Sequence, residues 1–236
     1  MALLRKNIWI KRWVEEQLER KQIAEPNCLM TSLYRNFPDL ETIDKNGRHR
    51  LGQRVGVLKH AKKKGVGAEI GVFTGLFSEK ISAVTEPETL YLVDPWRKLH
   101  GDHFPNWGQY SSNLRLSTTV AKSAADARAE SFTHDCHVVE EFGAEWLAGF
   151  SEPFLDWAYL DARHQFEAVL ADLRAIDQKL KPSGVIMGDD CWVRPDRKVS
   201  DVFRALQSFV GASNYQIIHL SNFGQWAITR SACLRQ

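Results

Sequence analysis

From Gly65 onward the chain alternates between short apolar runs and longer stretches in which apolar residues recur every three or four positions. The short runs, bounded by Gly, Pro, Asp or Asn, predict buried strands at 66–70, 89–93, 137–139, 155–160, 184–187, 215–220 and 225–229. The helical spacing between them predicts helices near 76–84, 114–130, 144–150, 165–180 and 198–210. Strands and helices in alternation give a doubly wound, mostly parallel α/β sheet of seven strands. Only residues 221–224 separate the last two strands, too few for a crossover helix, so the sheet must end in an antiparallel hairpin.

The first 64 residues have a different texture and read as an N-terminal helical extension, with the α/β domain spanning 65–236. Leu4, Ile8, Val14 and Leu18, with Trp9 and Trp13, recur at near-helical spacing among charged residues, which predicts an amphipathic helix. Glu15, Glu16 and Glu19 interrupt its basic face, so packing is expected rather than membrane binding. Pro26, Pro38 and an Asp44-Lys45-Asn46-Gly47 turn divide the remainder of the extension, ahead of a helix near 51–64. The extension is expected to cover the site or to join copies of the chain as a homo-oligomer.

Composition narrows the field. With 236 residues and 44% hydrophobic content the chain can bury one sizeable core. Its 31 basic residues are balanced by 29 acidic ones, so no nucleic-acid partner is expected. Cys28, Cys136, Cys191 and Cys233 form no CxxC pair, which suits reduced thiols in a cytoplasmic protein. His134-Asp135-Cys136-His137 lacks the second ligand pair of a zinc site. No run reaches the roughly 18–20 apolar residues of a membrane span, and the N-terminus is too charged for a secretory signal.

The candidate chemistry lies at strand ends. The strand ending LDWAYLDARH carries Asp161 and His164, and the one ending GVIMGDD carries Asp189 and Asp190. In a parallel sheet these ends share one rim, which gathers three carboxylates and an imidazole. Upstream, VGAEIGVFTG supplies a glycine-rich turn, with Gly71 and Gly75, of the kind that lets a ligand approach the backbone. Two loops, 96–113 with His100, Asp102, His103, Trp107 and Tyr110, and 191–197 with Trp192 and Arg194, are polar and aromatic enough to enclose a small hydroxylated ligand.

Residues 65–230 resemble the class I S-adenosylmethionine-dependent methyltransferases, whose Rossmann-like sheet ends in the same hairpin. Glu69-Ile70-Gly71-Val72-Phe73-Thr74-Gly75 is similar to that family's first motif, with Phe73 where many members have glycine. Asp94, closing Leu90-Tyr91-Leu92-Val93-Asp94, matches the acid that holds the ribose hydroxyls. The resemblance thus implies Glu69, Gly71, Gly75 and Asp94 as cofactor contacts. Glu140 or Glu141, after the third strand, stands where the adenine would lie.

Asp161-Ala162-Arg163-His164, with Leu180-Lys181-Pro182-Ser183-Gly184 further on, resembles the branch of macrocin-type sugar O-methyltransferases. By position this implies Asp161, Asp189 and Asp190 as Mg²⁺ ligands and His164 as base. Ala162 replaces a usual glycine and no full substrate-domain insertion is visible, so sugar specificity does not carry over. The expectation is Mg-assisted O-methylation of a small hydroxylated molecule. Its rivals are a metal-independent methyltransferase and a non-catalytic scaffold that keeps the cofactor. A dinucleotide oxidoreductase leaves Asp161, Asp189 and Asp190 without a role.

Overall fold

The computed structural model describes residues 28–107, 116–194, 196 and 198–231. Helices α1 (Cys28–Asn36) and α2 (Pro38–Val55) and a 3₁₀ turn (Gly56–His60) precede β1 (Val66–Ile70). Next come α3 (Ser78–Thr85), β2 (Thr89–Val93), α4 (Arg97–His100), α5 (Thr118–Ala129), β3 (Asp135–Val139) and α6 (Gly143–Ala148). The chain continues through β4 (Leu155–Leu160), α7 (Phe166–Lys179), β5 (Leu180–Gly188), α8 (Asp201–Gly211), β6 (Tyr215–Leu220) and β7 (Trp226–Arg230). The strands form one sheet in the order β3-β2-β1-β4-β5-β7-β6. All neighbours are parallel except β7, which runs antiparallel to both β5 and β6. This is the expected Rossmann-like architecture with N-terminal helices.

The alternation of side chains along a strand divides the core into two layers. Trp157 and Tyr159 of β4 join a cluster that includes Met30, Leu40, Ile43 and Leu51 of the N-terminal helices. Ala158 and Leu160, one residue out of phase, join Leu173 and Ile176 of α7 and Leu206 of α8 on the other face. β4 is therefore covered on both sides, which is why all six of its residues are buried and all but Asp156 are apolar. Helix α8 starts at 201 because Ser200 caps it, its hydroxyl accepting the Phe203 N–H at 3.0 Å.

The largest departure from the sequence reading is α2. Asp44-Lys45-Asn46-Gly47, expected as a turn, lies inside a helix that begins with Pro38 in its first turn, and the expected helix near 51–64 ends at Val55. Turn-forming composition is overridden because Leu40, Ile43, Asp44, Gly47, Leu51 and Arg54 share one buried face. Two charged side chains on that face hide the helical period from a hydrophobicity pattern. The expected amphipathic segment around Leu4 to Leu18 lies outside the described residues. Among the described residues no helix is long and apolar enough to cross a membrane.

Candidate active site

The chain runs from β1 outward to β3 and then back to β4, so the carboxyl ends of β1 and β4 flank the point where strand order reverses. Such a crevice is where doubly wound sheets bind ligands. A cavity of about 560 Å³ opens there, bordered by Glu69, Gly71, Asp94, Asp161, His164 and Asp190. Of the residues implied as cofactor contacts, Mg²⁺ ligands or base, Gly75 and Asp189 do not border it.

At the first strand end, Gly71 adopts φ +94° and a side chain there would meet the Asp161 carbonyl oxygen at 2.1 Å. Only glycine lets β1 and β4 finish this close together. Asp94 Oδ2 accepts the backbone N–H groups of Val72 and Phe73, each at 2.9 Å, and Oδ1 accepts that of Trp96 at 2.9 Å. Each carboxylate oxygen has two lone pairs. Oδ2 is thus filled by the glycine loop, while Oδ1 keeps one acceptor position.

Glu69 is fully buried beneath this loop and accepts the Ser78 hydroxyl. Burial pushes its carboxyl up to about 8, against the opposing Ser78 hydrogen bond and the Arg54 charge. The folded protein therefore holds a proton that the unfolded chain releases near the ordinary value of about 4.3. A raised acid pKa makes stability fall as pH rises between those values. Glu69→Gln, which keeps the neutral form, should gain stability over the parent by a few kcal/mol, to order of magnitude, between about pH 5 and 8. Urea unfolding at both pH values checks this; a pH-independent difference would mean that Glu69 ionises normally.

The second group contains Asp161, His164 and Asp190. His164 Nε2 lies 3.6 Å from Asp161 Oδ1 and 3.3 Å from Asp190 Oδ2. The Asp161 contact, with Asp190 beyond it, lifts the imidazole above its ordinary range. Among the described residues these three form the one group of His, Cys, Asp and Glu side chains close enough to share a cation. The His134–His137 segment does not converge on such a site.

Asp189 points elsewhere. Its Oδ1 accepts from Gln225 Nε2 at 2.6 Å and from the Asp190 N–H at 2.8 Å. Its Oδ2 lies 3.1 Å from Arg54 Nε and 3.3 Å from Arg50 Nη2. The structure brings Asp161 and Asp190 together with His164, but it does not bring Asp189 to them. Successive residues at a strand end project to opposite sides, and Asp190 turns further by adopting φ +58°.

Arg54 is the residue that sequence reasoning missed. Its guanidinium is buried between Asp189 and Asp161, bonds the Asp161 carboxylate, donates to the Tyr159 hydroxyl at 3.3 Å and lies 4.1 Å over the Phe77 ring. Burial pushes Asp161 up, but Arg54 and His164 outweigh it and hold its carboxyl below the usual range. A lone arginine in a polar-looking helix carries no motif, and its partner lies 107 residues away.

Other expectations meet mixed outcomes. Glu140 and Glu141 are engaged by Arg97 at 3.2 Å and Lys98 at 2.6 Å, and the cavity wall beside them is Phe142, Gly143 and Asp172. From the first loop, His100 and Trp107 border the cavity, with Phe104 and Phe73 stacked edge-on beside them. Asp102 and His103 are exposed and do not border it, and Tyr110 lies outside the described residues. From the second loop, Trp192 borders a smaller hollow of about 300 Å³ with Ser200 and Asp201, and Arg194 stacks on the Trp192 ring at 4.6 Å. His164 and Asp190 border both spaces.

The chain is similar to known proteins. A family profile described as a methyltransferase domain matches residues 68–191. Among solved structures, a proposed rRNA methylase from Clostridium thermocellum superposes with TM-score 0.53 at 10% identity, covering 77% of this chain and 96% of that one. TrmK of M. capricolum, solved with S-adenosyl-homocysteine, reaches 0.48 at 16% identity over 79% of this chain and 71% of its own. A proposed O-methyltransferase from Nostoc punctiforme reaches 0.47 at 16% identity, over 74% and 54%. No curated protein matches the sequence. At 10% identity, the first of these likenesses shows the fold alone.

Proposed function

The chain belongs to the methyltransferase-domain family, whose profile spans just over half of it, and on that premise we propose that it transfers a methyl group from S-adenosylmethionine to a hydroxyl of a small molecule. The observation that carries the reading is the position of His164 and Asp190 on the boundary between the two cavities. The cofactor is assigned to the larger space, with Gly71 and Gly75 shaping the loop beside it, Glu69 beneath it and Asp94 Oδ1 free to accept a ribose hydroxyl. The acceptor is assigned to the smaller hollow beside Trp192 and Ser200.

Methyl transfer from a sulfonium is a displacement in which the acceptor oxygen must lie behind the methyl carbon, so most of the catalysis is positioning. The hydroxyl proton must also leave. His164, half-exposed at the boundary, is the base that takes it from its neutral form, and the Asp161 and Asp190 contacts that raise its basicity move that form to higher pH. The aromatic wall formed by Phe73, Phe104 and Trp107 keeps water from competing for the methyl group.

Asp161 and Asp190 offer hard oxygen donors within 4.8 Å of each other, a donor set that fits Mg²⁺. When bound there, Mg²⁺ would lower the acceptor pKa and orient its oxygen. Asp189, held by Arg54, Arg50 and Gln225, would orient the pair without being a ligand. Calorimetric Mg²⁺ or Mn²⁺ titration should therefore lose its heat in Asp190→Asn and keep it in Asp189→Asn. Equal loss in both would restore Asp189 as a ligand. One observation favours a metal-free version of the same reaction: the Arg54 guanidinium already neutralises Asp161 and Asp189. A methyl-transfer screen over phenols, sugars and polyols, with Mg²⁺ and with chelator, decides between them, since full turnover in chelator would select the metal-free version.

A further inference from the structure

The loop between β1 and α3 is held in a conformation that its glycines allow but Phe73 does not favour. Gly71, Phe73 and Gly75 all have positive φ, at 94°, 58° and 79°. For Phe73 that conformation persists only if its surroundings impose it. Asp94 and the Trp96 indole, which donates to the Phe73 carbonyl at 2.9 Å, hold the loop from the sheet side.

From the opposite side the loop is gripped at Thr74. The Thr74 hydroxyl donates to Asp44 Oδ1 at 2.8 Å, and Arg128 Nη1 donates to the Thr74 carbonyl at 2.7 Å. Asp44 and Arg128 also bond each other at 2.8 Å, and both are almost fully buried. Tyr34 donates to Asp44 at 2.9 Å and accepts from Arg128 at 3.0 Å, but its hydroxyl has no bond to the loop. Arg128 Nε is taken by Glu79 at 2.7 Å. A side chain at Gly75 would meet the α5 backbone at Ala125, 3.1 Å away, so the loop is pressed against the helix that carries Arg128.

A buried ion pair gives little net stability compared with apolar packing, because both charges lose their water. What it supplies here is direction: it fixes the hydroxyl and the carbonyl of one loop residue. Thr74 borders the larger cavity, whereas Asp44 and Arg128 do not. Asp44 and Arg54 lie on the same buried face of α2, ten residues or about 15 Å apart. One helix thus reaches both the glycine loop and the carboxylates.

We propose that Asp44 and Arg128 are positioning residues for the cofactor, acting through Thr74 to hold the glycine loop in its binding conformation. Through Asp44, helix α2 then forms part of the cofactor-binding machinery. This rests on the assignment of the larger cavity to S-adenosylmethionine.

The test is calorimetric titration of S-adenosyl-homocysteine into the full-length protein, with the melting temperature of each variant measured alongside. Thr74→Val and Asp44→Asn should weaken binding roughly three- to tenfold or more, the scale of one lost hydrogen bond. Thr74→Ser, which keeps the hydroxyl, should bind like the parent. Tyr34→Phe, which loses bonds to the ion pair but none to the loop, should lower the melting temperature and leave affinity within about twofold. Parent-like binding by Thr74→Val, or an equal loss in Tyr34→Phe, overturns the proposal, because the pair would then serve only stability. Failure of the parent to bind would overturn the cofactor assignment as well.

Discussion

Replacing His164 by alanine should lower methyl transfer to the acceptor found by screening roughly 10²-fold or more, the scale expected for losing a positioned general base. S-adenosyl-homocysteine affinity should change little, because the imidazole stands where the larger cavity meets the smaller hollow and makes none of the contacts that hold the glycine loop. The effect should appear in kcat more than in KM, since the proton is moved only as the methyl group transfers. Steady-state rates and calorimetry on the same preparation check both halves. An unchanged rate would make His164 a structural partner of Asp161 and Asp190. Loss of cofactor affinity in parallel with rate would mean that the variant has disturbed the cavity as a whole.

The second large effect is expected at Arg54. Arg54→Met fills similar space but leaves the Asp161 and Asp189 carboxylates without their buried cation. Removing one partner of a buried pair typically costs about 3–5 kcal/mol. That is a large share of a domain's total stability of about 5–15 kcal/mol, and it corresponds to a fall in melting temperature of roughly 6–20 °C. Arg50, which is half-exposed and 3.3 Å from Asp189, offsets part of the loss. Thermal unfolding measures it directly. A melting temperature within about a degree of the parent would show that solvent or Arg50 already neutralises these carboxylates.

The sheet was legible in the sequence because most strands combine apolar residues with abrupt polar ends. β1, β2, β4 and β6 have the predicted bounds. β3 begins two residues early because it is an edge strand whose first position, Asp135, is exposed and breaks the apolar signal. β5 extends from Leu180 to Gly188 through Lys181, Pro182 and Ser183, which lie between the expected helix near 165–180 and the expected strand at 184–187. Proline is tolerated near a strand start, where a missing N–H does least harm.

The site was partly legible for a different reason. Strand-end acids announce themselves individually, so Glu69, Asp94, Asp161 and Asp190 could be placed at the cavity from sequence. Which way a side chain turns is not written in adjacency: Asp189 and Asp190 are neighbours in the chain, yet one is buried against Arg54 and the other faces His164. Nor does the sequence reveal the contribution of α2. Asp44 looked like a turn residue and Arg54 carried no motif, and only their long-range partners, Arg128 and Asp161, explain why both are buried.

The central claim is that the larger cavity holds S-adenosylmethionine. Calorimetric titration of the unmodified protein with S-adenosylmethionine and with nicotinamide dinucleotides tests it most directly. The expected result is a single micromolar site for S-adenosylmethionine, the range of ordinary small-ligand sites, and no heat from the dinucleotides. Tight dinucleotide binding with no response to S-adenosylmethionine would contradict it.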